Sequence, residues 1–274
     1  MKKVLLLLSI LCFVFSFTKK ELTWVAIGDS ITYLNDHPNE TGTRITKGYM
    51  TRVSEKLPRI HFINQGHNGW TATRIADNME KLGLVKADIY SVFLGTNDWW
   101  HSGRIGHFAD YQNNSGSSTL YGSFRIIINK LCSLNPDAKI ILITPMQRSD
   151  FVQISNPKNN AYGSYKEKDG QTLEQFIVAI DSIGNYEHLK IVDLYHKKGM
   201  EVKDLVKYKR LKDPQTGAYK NYPYPDYIDI PFDPGKDEYP YPLEAVDVTY
   251  DGLHPSDKGY EMIANMLIKV MKKF

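Results

Sequence analysis

The sequence predicts a three-layer α/β/α domain built on a flavodoxin-like, five-stranded parallel sheet. Two patterns and the chain length carry this prediction. Five short apolar runs, at residues 24–27, 60–63, 89–94, 140–143 and 189–194, are hydrophobic almost throughout, as strands buried on both faces are. Between them lie segments with apolar residues at helical spacing, and strands that alternate with helices build parallel sheets. The 274 residues, 42% hydrophobic and 24% charged, are enough to bury a sizeable core, and they contain no repeat or low-complexity tract.

The first residues stand apart from the fold. Lys2 and Lys3 precede an apolar run from Val4 to Phe17, and Thr18-Lys19-Lys20-Glu21 restores polarity. A basic start, a short apolar core and a polar exit describe a secretory signal peptide. The run is shorter than the ~20 residues a spanning helix needs. Residues 1–17 are therefore expected to be a leader, cut beside Ser16, and residues 18–274 a single exported domain, periplasmic or extracellular. Retention of the leader as an anchor is the alternative. Cys12 follows Leu11, not the small residue that a lipidated cysteine usually follows. With Lys2 and Lys3 gone, the net charge falls from +3 to about +1, so no basic field argues for nucleic acid or a membrane surface. Only Cys132 is left, which excludes an internal disulfide and a cysteine-based zinc site.

The first strand, Trp24-Val25-Ala26-Ile27, is cut off by Gly28-Asp29-Ser30. A strand ending this way lifts a hydroxyl from the carboxyl edge of the sheet, where α/β folds bind ligands. Ile45, Tyr49, Val53 and Leu57 then mark an amphipathic helix stopped by Pro58. The second strand ends in Asn64-Gln65-Gly66-His67-Asn68-Gly69-Trp70-Thr71, and Ile75, Met79 and Leu82 mark the next helix. The third strand closes on Gly95-Thr96-Asn97-Asp98. The strongest helix follows, with Leu120, Phe124, Ile127, Ile128, Leu131 and Leu134 on one face, and Pro136 ends it. The fourth strand runs into Thr144-Pro145-Met146-Gln147-Arg148. Leu173, Phe176, Ile177 and Ile180 give a helix before the fifth strand, and Ile263, Met266, Leu267 and Val270 give the last one. One segment, about residues 197–249, breaks the rhythm with Lys, Pro and Tyr, as in Tyr222-Pro223-Tyr224-Pro225 and Tyr239-Pro240-Tyr241-Pro242. Its prolines forbid a regular helix, and its aromatics argue against disorder. An ordered excursion over the sheet edge is expected.

Several of these junctions carry polar residues suited to one reaction. A serine hydroxyl is a weak nucleophile and needs a base. His254 can take the proton of Ser30, and Asp251 can hold the other ring nitrogen in the right tautomer. The backbone N–H groups of Ser30 and Gly69 and the side-chain amide of Asn97 can face a developing oxyanion. Each residue singly has an ordinary reading: serine caps helices, glycine serves turns, asparagine and histidine populate loops. Their joint occurrence at successive strand ends is what points to chemistry.

The chain resembles the SGNH hydrolase family, the GDSL-like lipases and esterases. Gly28-Asp29-Ser30 resembles the family's first block, with Ile31-Thr32 in place of the commoner serine-leucine ending. Asn68-Gly69-Trp70-Thr71 is similar to the second, with Gly66 as a competing glycine. Gly95-Thr96-Asn97-Asp98 resembles the third, and Asp251-Gly252-Leu253-His254-Pro255 the fifth. The resemblance implies Ser30 as nucleophile, His254 as base, Asp251 as its orienter, and Ser30, Gly69 and Asn97 as oxyanion donors. It also implies ester hydrolysis through an acyl-serine, with no metal and no cofactor. Thr32 stands where a Gly-x-Ser-x-Gly elbow has its second glycine, which disfavours the α/β-hydrolase fold.

Substrate choice falls to the loops. Trp99, Trp100 and His101 follow Asn97 directly and are expected to line the cleft; Trp70 and Arg148 sit on neighbouring junctions. Trp70, Trp99, Trp100 and Arg148 are the expected substrate contacts. Exposed aromatics can stack on sugar rings, although the tyrosines of the excursion equally suit packing onto the domain. The expected substrate is an acylated small molecule or polysaccharide, with acetyl removed from carbohydrate. A lipase or lysophospholipase acting on longer chains is the nearest alternative, and a non-catalytic carbohydrate-binding module the alternative from another class.

Overall fold

The computed structural model describes residues 20–274; the leader read at residues 1–17 lies outside the described residues. Among the described residues no helix is long and apolar enough to cross a membrane. The amino-terminal half contains β1 (Leu22–Gly28), α1 (Ser30–Tyr33), α2 (Tyr49–Lys56), β2 (Ile60–Gly66), α3 (Ala72–Asp77), β3 (Ile89–Phe93), α4 (Thr96–Trp100), α5 (Phe108–Gln112) and α6 (Leu120–Leu134). There follow β4 (Lys139–Ile143), the short strands β5 (Phe151–Val152) and β6 (Asn160–Ala161), α7 (Leu173–Tyr186) and β7 (Lys190–Val192). The chain ends with α8 (Val202–Leu205), β8 (Lys209–Lys212), β9 (Tyr219–Tyr222) and α9 (Asp257–Met271).

β1, β2, β3, β4 and β7 form one parallel sheet in the order β2-β1-β3-β4-β7. Side chains alternate across each strand, so β1 sends Val25 and Ile27 to one face and Trp24 and Ala26 to the other. The first face packs with Tyr90, Val92 and Leu142 beneath α3, α6 and α7. The second packs with Ile89, Phe93, Ile141 and Ile143 beneath α2 and α9. This is the three-layer arrangement the sequence predicts. The register aligns the strand ends: Gly28 is paired with both Gly66 and Phe93, Phe93 with Ile143, and Ile143 with Val192. One row of the sheet thus releases the following loops at a common edge.

The helices differ from their sequence patterns at their ends. α2 begins at Tyr49, four residues after the first periodic residue, because Gly48 is its extended N-cap. Ile45 remains buried in the preceding loop. α3 stops at Asp77, and Met79 and Leu82 pack from the turns that follow. Side-chain caps explain the cleaner starts: Thr119, Thr172 and Ser256 accept backbone N–H bonds at the heads of α6, α7 and α9.

The excursion carries α8 and an antiparallel β8–β9 hairpin. Tyr227 and Tyr241 are fully buried in it, and the Tyr239 hydroxyl donates to the Val152 carbonyl at 2.9 Å. Tyr222 donates to Asp213 at 3.0 Å, and Tyr224 packs against Tyr227 and Tyr165. Tyr224, Tyr227, Tyr239 and Tyr241 fasten the excursion to the residues after β4, while Tyr222 braces it internally.

Glycine at the end of β2 is required by close approach. A Cβ on Gly66 would stand 2.1 Å from the Tyr33 nitrogen, in the backbone of α1. A Cβ on Gly69 would meet nothing within 4 Å, although its φ of +71° is unfavourable for other residues. Gly66→Ala is therefore expected to destabilise by about 1–3 kcal/mol through overpacking, and Gly69→Ala by about 1 kcal/mol through backbone strain alone. Denaturant unfolding of the two variants checks the order.

Candidate active site

The turn after β1 is a short, heavily pinned piece of backbone. Asp29 caps α1, its Oδ1 accepting the Ile31 N–H at 2.9 Å. Thr32 hydrogen-bonds the Tyr49 hydroxyl of α2 at 3.0 Å, and the Tyr260 hydroxyl of α9 donates to the Ile31 carbonyl at 2.9 Å. Ser30, the first residue of α1, is left half-buried with its hydroxyl toward a cleft.

The partner of that hydroxyl comes from the loop before α9. Asp251 is buried, and its Oδ1 accepts the N–H groups of Leu253 at 3.0 Å and His254 at 2.7 Å. Its Oδ2 lies 2.7 Å from His254 Nδ1, and His254 Nε2 lies 2.8 Å from Ser30 Oγ. A carboxylate only accepts, so Nδ1 carries the proton and Nε2 is left to accept from the serine hydroxyl. The line Asp251–His254–Ser30 is therefore polarised in one direction. The imidazole is held by the edge of Phe151 and by stacking on Tyr250, with ring centres at 5.4 and 5.9 Å.

The histidine loop is bonded to the segment after β4. Ser149 N–H donates to the Gly252 carbonyl at 2.8 Å, and Val152 N–H to the Asp251 carbonyl at 3.1 Å. Gly252, at φ +90°, passes so close that a Cβ would stand 2.0 Å from the Asp150 carbonyl oxygen. Asp150 in turn is clamped. Its carboxylate receives Lys209 Nζ of β8 at 2.7 Å, Gly163 N–H at 2.9 Å and the Tyr165 hydroxyl, while Tyr241 bonds its carbonyl. The Lys209 and Asp150 side chains are only 4% and 17% exposed, so this ion pair is well shielded from solvent.

Two further junctions reach the same cleft. The Asn97 amide donates to the Trp70 carbonyl at 3.1 Å, which orients the group; among the described residues its second N–H has no acceptor. Gly69 lines the cleft with Ser30 and Asn97, whereas Gly66 lies under α1. Asp98 holds the two junctions together, both carboxylate oxygens standing 3.0 Å from the Ala72 N–H. Burial pushes Asp98 up to about 7 and Asp29 up to about 6.

The cleft encloses about 360 Å³. Trp100, His101 and Arg148 line it as expected, and two of the expected contacts do not. Trp99 is wholly buried, its indole N–H donating to the Gln171 carbonyl at 2.9 Å, so its ring belongs to the core. Trp70 stacks on His67 at 4.2 Å and lies beneath Arg74 at 4.7 Å, and its share in the site is the carbonyl that holds Asn97. Sequence reading missed Glu40, Phe151, Asn159 and Tyr250, which also line the cleft. No motif marks Glu40, Phe151 or Asn159, because they arrive from loops whose course only the packing sets. Asn68 and Tyr250 had a signal available, their adjacency to Gly69 and Asp251.

The model of the GDSL-like lipase/acylhydrolase family matches residues 26–262. A crystal structure described as a possible lipase from Chitinophaga pinensis is 60% identical, with a TM-score of 0.91 over 92% of this chain and 98% of that one. A protein from Lactobacillus plantarum is 17% identical at a TM-score of 0.63, covering 93% of this chain and 99% of that one. An acetyl xylan esterase, AlAXEase, is 20% identical at 0.54, covering 90% and 98%. These last two share the fold. No curated protein matches the chain.

The raised acids give stability a definite pH dependence. Folded Asp98 titrates near 7 against an ordinary 3.8, so between those values the folded state binds more protons than the unfolded one. Its contribution to stability therefore falls as pH rises from about 4 to about 7. The difference in melting temperature between wild type and Asp98→Asn is expected to be most in favour of wild type near pH 4 and to shrink toward pH 7. Thermal unfolding across that range measures it.

Proposed function

Because the chain belongs to the GDSL-like lipase/acylhydrolase family, we propose that it is an exported serine esterase that removes acetyl or other short acyl groups from carbohydrate. The observation that carries this reading is the unbroken line of Asp251, His254 and Ser30, at 2.7 and 2.8 Å, opening on a cleft that Gly69 and Asn97 also line.

In this reading Ser30 Oγ attacks the ester carbonyl as His254 Nε2 takes its proton. The carbonyl oxygen becomes an oxyanion and receives the N–H groups of Ser30 and Gly69 and the free N–H of Asn97. The imidazolium, steadied by Asp251, passes its proton to the departing alcohol oxygen as the C–O bond breaks. Water then gives a proton to His254 and attacks the acyl-serine, and the returning proton regenerates Ser30 with release of the acid. Each proton is carried on one nitrogen, so the imidazole must not rotate. The ring contacts and the Asp251 bond provide that restraint.

The lining supports a short acyl group and a polar alcohol. Asn68, Asn159, Gln153 and Glu40 present hydrogen-bonding groups to the cleft, and its volume is at the small end for ligand sites. Export rests on the pattern of residues 1–17. Longer chains are the second reading, favoured by Leu34, Phe151, Ile154 and Leu253 in the same lining.

Ser30→Ala is expected to lower turnover by ~10⁴–10⁶ and to abolish labelling by a fluorophosphonate, and Asn97→Ala to lower kcat by ~10²–10³. Unchanged turnover in Ser30→Ala would sink the mechanism. Wild type is expected to hydrolyse p-nitrophenyl acetate faster than the octanoate; the opposite preference selects the longer-chain reading. Failure of wild type to react with the fluorophosphonate, alongside retained sugar affinity, would select a binding module.

A further inference from the structure

Arg148 brings a guanidinium to the cleft for which the described residues supply no acceptor at two of its nitrogens. The residue follows β4, is 1% exposed and lines the cleft together with Ser30 and His254. Among the described residues its Nε and Nη2 have no hydrogen-bond partner. Its backbone is held on both sides, N–H donating to Ser164 Oγ at 3.0 Å and carbonyl accepting the Ser164 N–H at 2.8 Å. The guanidinium rests against Trp99 and Trp100, 5.4 and 5.0 Å from the ring centres. Those rings steady it but offer no acceptor in its plane.

Buried cations are ordinarily paired and hydrogen-bonded. The carboxylates whose charges act on Arg148, those of Asp251, Asp150 and Asp29, are engaged elsewhere. Asp251 holds His254, Asp150 holds Lys209 and Gly163, and Asp29 caps α1. Glu40, the other acid in the lining, is exposed and accepts the Tyr33 hydroxyl at 2.8 Å. Among the described residues, no carboxylate is left over for Nε and Nη2 of Arg148.

We propose that Arg148 is a specificity determinant that recognises a carboxylate on the acylated sugar, so that the substrate is an ester of an acidic carbohydrate. This rests on the esterase reading above. A carboxylate matches the planar donor edge of a guanidinium. A charge on the floor of a small cleft acts through little solvent and is felt strongly there. Hydroxyls of a neutral sugar carry no charge to gain from it.

The test compares O-acetylated methyl glucuronoside with O-acetylated methyl glucoside, which differ only in the carboxylate, with p-nitrophenyl acetate as a common reference. Wild type is expected to favour the uronate in kcat/KM by ~10- to 10²-fold, the range given by a hydrogen bond to a charged group. The preference is expected in KM and to weaken with added salt. Arg148→Gln is expected to bring the ratio of the two sugars close to one, whatever its effect on the common rate. Arg148→Lys, which keeps the charge and loses the planar edge, is expected to fall between.

A wild-type ratio near one, with p-nitrophenyl acetate hydrolysed, would overturn the proposal, leave the esterase reading intact and assign the free N–H groups to water. A preference that survives in Arg148→Gln would overturn it as well. Absence of hydrolysis on all three esters would instead reject the esterase reading. The wild-type ratio needs no variant, so a poorly folding Arg148→Gln does not block the test.

Discussion

The contact between Ser30 and His254 joins positions 224 residues apart at 2.8 Å, and the rest of the architecture can be read as the means of holding it. Neither residue lies on a long element that could hold it alone. Ser30 opens a four-residue helix, and His254 sits in a loop. Both are held through α9, which packs beside α2 on one face of the sheet. Its Tyr260 bonds the carbonyl of Ile31, and Asp257 at its start receives Thr46 and Lys47 N–H and Arg52. The carboxyl-terminal helix is thereby bolted to the turn that carries the serine.

Buried carboxylates do much of the remaining positioning. Asp29 and Asp98 each accept one backbone N–H, and Asp251 two, from the loops they organise. A carboxylate bonded this way fixes the peptide units that donate to it. The penalty is desolvation, visible in the raised titration of Asp29 and Asp98. Such an arrangement is favoured where donors must already point the right way before charge develops, since little reorganisation is then left for the reaction.

The excursion extends the same principle. Lys209 from β8 neutralises Asp150, and Asp150 is the residue whose carbonyl crowds Gly252 in the histidine loop. Tyr239 and Tyr241 bond the carbonyls of Val152 and Asp150 on the same segment. The proline- and tyrosine-rich chain therefore backs the wall of the cleft, and its aromatic residues are spent on packing. Its prolines suit this task, since a backbone with few free conformations loses less entropy when it is pinned.

The sheet and its helices were legible because hydrophobic periodicity is a local property. Continuous runs such as Ile140-Ile141-Leu142-Ile143 and spaced ones such as Leu120, Phe124 and Ile127 reflect burial on two faces or one, and no distant residue is needed to interpret them. The blocks around Ser30, Gly69, Asn97 and His254 were legible for a related reason, since each is a short turn with its own backbone demands. What local pattern could not decide was which way neighbouring rings face. Trp99 and Trp100 are adjacent in sequence, yet one packs inward against α7 and the other reaches the cleft, because successive residues of α4 project to different sides. Trp70 lies beside Gly69 but turns onto His67. The lining from Glu40 and Asn159, the Asp150–Lys209 pair and the surroundings of the Arg148 guanidinium depend on contacts between segments far apart in the chain. Tertiary packing alone brings such segments together, and it alone decides which polar groups find partners.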